Sequence, residues 1–356
     1  MKNSLLGTID RGALYCKRDY LFLGMKIISA IFILIFVFSM AGCKNLRSKD
    51  LGVTWATVQN STFDNNLIHC ITYGGGKFVA GGTNGRMAYS VDGINWIAVQ
   101  NSTFDTNNII SIAYGGNKFV AGGLGGKMSY STDGINWIAV QNSTFGTAVI
   151  RDIVYGGGKF VAVGFYVKMA YSTDGINWIA VPNNTFSTNL GTIAGTNIST
   201  DAITGIAYGR DKFIALGEDG KMAYSTDGIK WITVSETSSM KTIIYGGGKF
   251  VAGGSGGKIS YSVDGINWTA IPPNSTFSIN LGTTVVTGHI EGITYGDGKF
   301  IAVGWFGRMA YSKNGINWFT VIDNTFDLSY IYGITYGAGK FVAVGQNGKM
   351  SYSPSK

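Results

Sequence analysis

Tyr114-Gly115-Gly116-Asn117-Lys118-Phe119-Val120-Ala121 and, after six intervening residues, Met128-Ser129-Tyr130-Ser131-Thr132-Asp133-Gly134-Ile135-Asn136-Trp137 hold the fold in miniature. Short β-rich runs alternate with Gly-rich and Asp-Gly pairs, the strongest local signals for tight hairpins. The unit reads as four antiparallel strands, at 111–114, 118–122, 127–131 and 135–140. The first phrase recurs with its tyrosine at Tyr73, Tyr114, Tyr155, Tyr208, Tyr245, Tyr295 and Tyr336, at intervals of 41, 41, 53, 37, 50 and 41 residues. Units of this length make propellers, solenoids or arrays, because one unit cannot bury both its faces. Four-stranded units repeated radially predict an all-β, seven-bladed β-propeller.

The ends of the repeat array predict how the ring shuts. The last unit stops at Met350-Ser351-Tyr352-Ser353-Pro354 without a fourth strand, and an orphan strand at 53–58 precedes the first unit. Moving the orphan to the end completes seven blades and sets Trp55 in line with Trp96, Trp137, Trp178, Trp231, Trp268 and Trp318. Such closure removes the open edges that would otherwise aggregate. An open solenoid needs distinct capping repeats, and none is seen.

Ser90-Val91-Asp92-Gly93-Ile94-Asn95-Trp96 resembles the Asp-box of the BNR-repeat propellers, Ser-x-Asp-x-Gly-x-x-Trp, with one residue fewer between Asp and Gly. The resemblance runs through every blade from residue 53 onward, with Asn314 replacing Asp in the sixth and Pro354 ending the seventh. It implies a sialidase-superfamily-like propeller with the box in the hairpin between third and fourth strands. It also implies a structural role for Asp92, Asp133, Asp174, Asp227 and Asp264, whose carboxylates would accept turn N–H groups while the indoles pack between blades.

Upstream of the array, Met25-Lys26 opens an apolar or small run to Gly42, ending Ser39-Met40-Ala41-Gly42-Cys43. A positive start, a short apolar core and small residues before a cut describe a signal peptide at 25–42. The run is shorter than the roughly 20 residues a membrane span needs. Ala-Gly-Cys resembles the lipobox of bacterial lipoproteins, which implies lipidation of Cys43 and stable membrane anchoring by two or more acyl chains. Residues 43–52 then read as a polar tether and 53–356 as the propeller. Residues 1–24, with Asp10 and Asp19 and mixed polarity, read as a non-native upstream extension. The expected address is the bacterial cell envelope, lipid-anchored and exposed to the periplasm or the cell surface.

Charge and composition narrow the function. The chain carries 28 Lys+Arg against 20 Asp+Glu, a net +8. Five of those cations and two of the acids precede Cys43, which leaves 23 against 18, or +5. Fourteen of the 23 sit at two fixed places in every repeat, the Lys77 and Arg86 positions, so they spread around a ring. Nucleic-acid binders gather theirs on one face, and no nucleic acid is expected as a partner. Cys70 fills a slot held by Ser111, Asp152, Gly205, Thr242, Gly292 and Gly333 in the other units, and reads as a small strand residue. His69 and His289 are the only histidines and have no partners at ligand spacing, so neither a metal nor a cofactor is expected. The recurring Asn-Ser-Thr-Phe phrase contains glycosylation sequons, which carry no weight in a bacterial lipoprotein. A sialidase-like site needs an arginine cluster. Past the tether the arginines are Arg86, Arg151, Arg210 and Arg308, with Arg86 and Arg308 at repeat positions. The expectation is therefore a non-catalytic protein- or glycan-binding scaffold, with a sialidase-like glycan hydrolase as the alternative.

Positions that differ between repeats mark the binding surface. Fourth-to-first and second-to-third connections emerge on one rim, and two of the former are long, at 183–202 and 272–290. Next to them the second-to-third turns become aromatic, at Phe165-Tyr166 and Trp305-Phe306, the candidate binding rim. One position near the start of the innermost strand also varies: His69, Ile110, Arg151, Thr204, Lys241, Glu291 and Tyr332. Of these His69, Arg151, Lys241, Glu291 and Tyr332 are the candidate channel mouth.

Overall fold

The computed structural model describes residues 51–182, 186, 202–234, 239–272, 277–280, 285–322 and 324–354. The expected signal segment, Cys43 and the rest of residues 1–50 lie outside the described residues, as does most of the connection at 183–202. Seven four-stranded antiparallel sheets form the blades of a β-propeller. Blade 1 runs Ile68–Gly74, Lys77–Gly82, Met87–Ser90 and Ile97–Ala98. The innermost strands of blades 2 to 6 are Ile109–Gly115, Ile150–Gly156, Ile203–Gly209, Met240–Gly246 and Ile290–Gly296. Blade 7 combines both ends of the array: Ile331–Gly337, Lys340–Gly345 and Met350–Tyr352 are joined by Ala56–Thr57, with Ala56 opposite Tyr352 and Thr57 opposite Ser351. A short extra hairpin, Ser278–Asn280 with Val285–Thr287, lies in the connection leading to blade 6.

The fourth strands are shorter than the sequence predicts. In blade 2 the expected strand at 135–140 is reduced to Ile138–Ala139. The turn consumes the residues before it. Ser90 Oγ accepts the Gly93 N–H at 2.9 Å, Asp92 Oδ1 accepts the N–H groups of Ile94 and Asn95 at 2.8 Å, and the Trp96 indole N–H reaches back to the Gly93 carbonyl at 3.3 Å. Donors this well satisfied cannot also join a ladder.

The same turn is split across the seam of blade 7. The Gly52 N–H donates to Ser353 Oγ at 2.8 Å and Trp55 Nε1 donates to the Gly52 carbonyl at 3.2 Å. Leu51 takes the Asp position and is buried. The expected tether at 43–52 therefore overlaps the folded body, because these two residues complete a turn begun at Ser353.

Seven apolar clusters fill the joints, one between each pair of adjacent blades. At the joint of blades 7 and 1, Phe78 and Trp96 pack with Val342, Val344 and Met350. Two further repeated devices lock the joints. The Asn-Ser-Thr-Phe phrase places a fully buried phenylalanine in the connection (Phe63, Phe104 and Phe145), while Ser102 and Ser143 bond the carbonyls of Gly85 and Gly126 at 2.6 Å. On the opposite rim, Lys159, Lys249 and Lys340 cap the Asp227, Asn314 and Asp92 carbonyls of the next blade at 2.7 to 2.8 Å. Arg86 and Lys349 pair with Asp64 and Asp327. Many of the repeated cations thus hold the frame.

The carboxylates of these turns share one electrostatic state. Burial pushes Asp92, Asp133 and Asp174 upward, but backbone and side-chain donors outweigh it and hold them below the usual carboxylate range. A carboxylate depressed in the folded state stabilises above its unfolded pKa of about 4 and loses that contribution as pH falls below it. Blade 6 supplies a built-in control, since Asn314 Oδ1 accepts the Ile316 and Asn317 N–H groups at 2.9 Å. We expect Asp92→Asn to cost less than about 1 kcal/mol and Asp92→Ala about 1–3 kcal/mol. Urea denaturation at pH 7 measures both; equal costs would contradict an acceptor role for the side chain.

Candidate functional site: the channel mouth

In every blade the innermost strand pairs with its neighbour through the same irregularity. Ile68 lies opposite Gly82 and Cys70 opposite Gly81, which leaves His69 as the extra residue of a β-bulge. The extra residues of the other blades are Ile110, Arg151, Thr204, Lys241, Glu291 and Tyr332. Bulges re-aim side chains and gather near functional sites. All seven line one cavity of about 510 Å³ at the mouth of the channel. The five candidate mouth residues are therefore brought together, each from a different blade.

One side of the mouth is aromatic. Trp305 is held between His289, with centroids 3.9 Å apart and planes at 13°, and Tyr330, at 5.0 Å and 4°. Its indole N–H donates to Glu291 Oε1 at 2.7 Å, and Lys241 Nζ pairs with that same oxygen at 3.3 Å. Phe306 meets Tyr330 edge-on, as does Tyr332, and Tyr332 leans on His69 at 5.8 Å. On the blade 3 side, the Arg151 guanidinium lies 5.7 Å from the Phe165 ring centroid. Of the four candidate rim aromatics, Trp305, Phe165 and Phe306 are half-buried and Tyr166 is 45% exposed.

Tyr166 and Phe306 occupy an unusual backbone position. Both have φ of +58°, at the place where Asn84, Gly125, Asp219, Gly256 and Asn347 stand in other blades. Asn, Asp and Gly accept that conformation readily, whereas a bulky residue there costs on the order of 1–3 kcal/mol. The frame does not need an aromatic at this position.

Burial, reinforced by Arg151, lowers His69 to about 4, so its ring is neutral at physiological pH. Burial also lowers His289, with Lys241 adding to the effect and Glu291 opposing it. Burial raises the Tyr332 hydroxyl, and Glu291 raises it further. Cys70 is pushed up by burial, with Asp152 adding to the rise, so it is a protonated thiol. A protonated buried thiol is a poor nucleophile.

Three residues of this site were not singled out by the sequence. His289 and Tyr330 share one repeat position, the residue before the innermost strand, where Leu67, Asn108, Val149, Ala202 and Ser239 stand in other blades; their aromatic character was the signal. Asp152 was visible as the charged member of an otherwise uncharged slot, and that was its signal. Its carboxylate joins three blades, accepting Ser111 Oγ at 3.0 Å and the N–H groups of Ile153 and Ile206 at 2.9 Å. Asp152 and Glu291 both line the cavity, yet each is held by its own partners. Among the described residues, no group of three His, Cys, Asp or Glu gathers as a metal site would require.

No protein-family model matches the chain, and no curated protein matches it in sequence. Solved structures do match in shape. YCF48 from Cyanidioschyzon merolae is 16% identical over 84% of this chain and 98% of its own, with a TM-score of 0.62. Virginiamycin B lyase from Staphylococcus aureus, solved with quinupristin as a catalytically inactive variant, is 12% identical over 84% and 97%, with a TM-score of 0.64. The WD40 propeller domain of Doa1 is 13% identical over 85% and 96%, with a TM-score of 0.59. YCF48 has also been solved bound to a D1 peptide. At these identities the chain shares the propeller fold with a peptide-binding protein, an enzyme and a WD40 domain.

Proposed function

We propose that this protein is a non-catalytic binding module of the bacterial envelope, anchored through lipid at Cys43, whose channel mouth takes a segment of a protein partner. One observation carries the reading: seven different side chains stand at the seven bulges of an otherwise repetitive ring. A frame needs sameness there, and recognition needs difference. The strained aromatics Tyr166 and Phe306 flank the same mouth and support it. The peptide seen on YCF48 is a precedent within the fold.

A protein partner fits better than a glycan. Sugar rings stack on open aromatic faces, but both faces of Trp305 are covered, by His289 and Tyr330. A sialidase-like hydrolase is less well supported still. Of the four arginines past the tether only Arg151 lines the cavity, while Arg86 pairs with Asp64 and Arg210 bonds the Val263 carbonyl in a turn of the opposite rim.

The reading is tested by placing a photo-crosslinking amino acid at Tyr332, or at Asn95 on the opposite rim, in the cells that make the protein. Crosslinks to a discrete protein from position 332 and none from 95 are expected. Crosslinks to glycan, or equal yields from both positions, would overturn it. Trp305→Ala is expected to lower stability by about 2–4 kcal/mol, because the indole is an inner wall of the mouth. Tyr332→Ala is expected to leave stability within about 1 kcal/mol and to abolish partner capture.

A further inference from the structure

A carboxylate partly withdrawn from water is normally paired with a cation, because losing hydration is costly. Asp152 is half-buried, lines the channel cavity and makes no ion pair with any described residue. Three donors use part of its acceptor capacity: Oδ1 takes Ser111 and Ile153, and Oδ2 takes Ile206. A carboxylate has about four lone-pair positions, so Oδ2 can accept again. The six equivalent positions are Cys70, Ser111, Gly205, Thr242, Gly292 and Gly333, so blades close without a charge there.

No cation at the mouth contacts this carboxylate, although Arg151 acts on it at a distance. Lys241 is engaged with Glu291, and Arg151 is exposed and lies over the Phe165 ring. The spare position on Oδ2 calls for a donor. Tyr332 and Ile110 line the same cavity and offer apolar surface to an aliphatic stem.

We propose that the channel is a socket for a lysine-type ammonium of the protein partner, which donates to Asp152 Oδ2 while its methylene stem runs along Tyr332. This rests on the peptide-binding reading above and names the residue class that reading leaves open. It also accounts for the strained state of Asp152, which burial raises to about 6 despite its hydrogen bonds and Arg151. An inserted cation would pull that value down again.

Two measurements on the full chain separate this inference from the reading it rests on. In the first, the Asp152 carboxyl is followed by carbon NMR through a pH titration, in n-butylammonium chloride or in sodium chloride of equal strength. The midpoint is expected to fall by about half a unit or more in butylammonium. Identical midpoints would overturn the socket. In the second, peptides are selected from a displayed random library and tested on the protein and on Tyr332→Ala. Peptides that need Tyr332 are expected to carry a lysine, and its replacement by norleucine should weaken binding on the order of 10- to 100-fold. Peptides that need Tyr332 but carry no basic residue would overturn the socket and leave the binding reading intact. Asp152→Asn should match the norleucine loss. The titration needs no variant, so a poorly folding Asp152→Asn leaves the test in force.

Discussion

Trp55→Ala should be among the most damaging single substitutions in this protein, costing about 3–5 kcal/mol. Its indole is buried with Leu51 against Ile301, Val303, Phe326 and Phe341, so the loss is first a cavity in the joint between blades 6 and 7. The larger effect comes from connectivity. The corresponding Trp178 sits in a blade whose four strands are continuous in sequence. Trp55 secures a strand of two residues, Ala56–Thr57, which meets its blade only across the seam. Without the indole, the strand is left with the Gly52–Ser353 bond, the short ladder, and the bonds of Lys299 to Leu51 and of Val58 to Met350. Its departure exposes Met350–Tyr352 as a free edge. Denaturant midpoints should therefore fall for both Trp55→Ala and Trp178→Ala, and only Trp55→Ala should also yield oligomers by light scattering. Monomeric Trp55→Ala with a midpoint like the parent's would show that the seam does not hold the ring.

The seam was legible because repeats allow subtraction: a unit missing one strand and a strand missing a unit define each other. What lay one step beyond was that the turn itself is divided. The Asp position of blade 7 is Leu51, which carries none of the box's chemistry, so only the spacing of Gly52 and Trp55 betrays it. The bulges were hidden for a related reason. Ile68 and Ile71 are three apart, and simple alternation would send them to opposite faces. Both are buried in one cluster, which is possible because His69 is extruded between them. Variation at that position was readable; its cause was not.

The rim divides in the same way. Two aromatic turns beside two long connections could be read directly from repeat comparison. The stack of His289, Trp305 and Tyr330 could not, because the position before the innermost strand differs in every blade and nothing in the sequence sets it beside the aromatic turn. It gives Trp305 the character of an inner wall and leaves Tyr332, His69 and Arg151 to face the channel. Asp152 was overlooked because six small neighbours in the slot argued for a packing role. The charge it adds is what packing does not require.

Gly337→Ala should be as disruptive as the loss of Trp55, for a steric reason that composition does not reveal. Each glycine that ends an innermost strand lies under the tyrosine of the next blade, and at the seam a methyl on Gly337 would stand 2.0 Å from Tyr73 Cγ. The ring cannot simply swing away, since it packs on Phe78 with centroids 4.7 Å apart. Blades 7 and 1 must separate, and the buried joint behind them opens, at a cost of about 3–5 kcal/mol. Gly339, two residues on, is the contrasting case. It has φ of +72° and nothing within 4 Å of an added methyl, so alanine there meets only the left-handed backbone penalty of about 1 kcal/mol. The two variants thus separate collision from conformation within one hairpin. In a double-mutant cycle, Tyr73→Ala should recover part of the Gly337→Ala loss, giving a coupling of at least about 1 kcal/mol. Equal destabilisation by Gly337→Ala and Gly339→Ala, or additivity with Tyr73→Ala, would mean that the tyrosine does not set the spacing of the blades. If the coupling is found, the Tyr-Gly pair is the element that fixes how closely seven blades approach the axis. The width of the channel mouth then follows from a phrase repeated seven times, and its chemistry from the one residue in each blade that does not repeat.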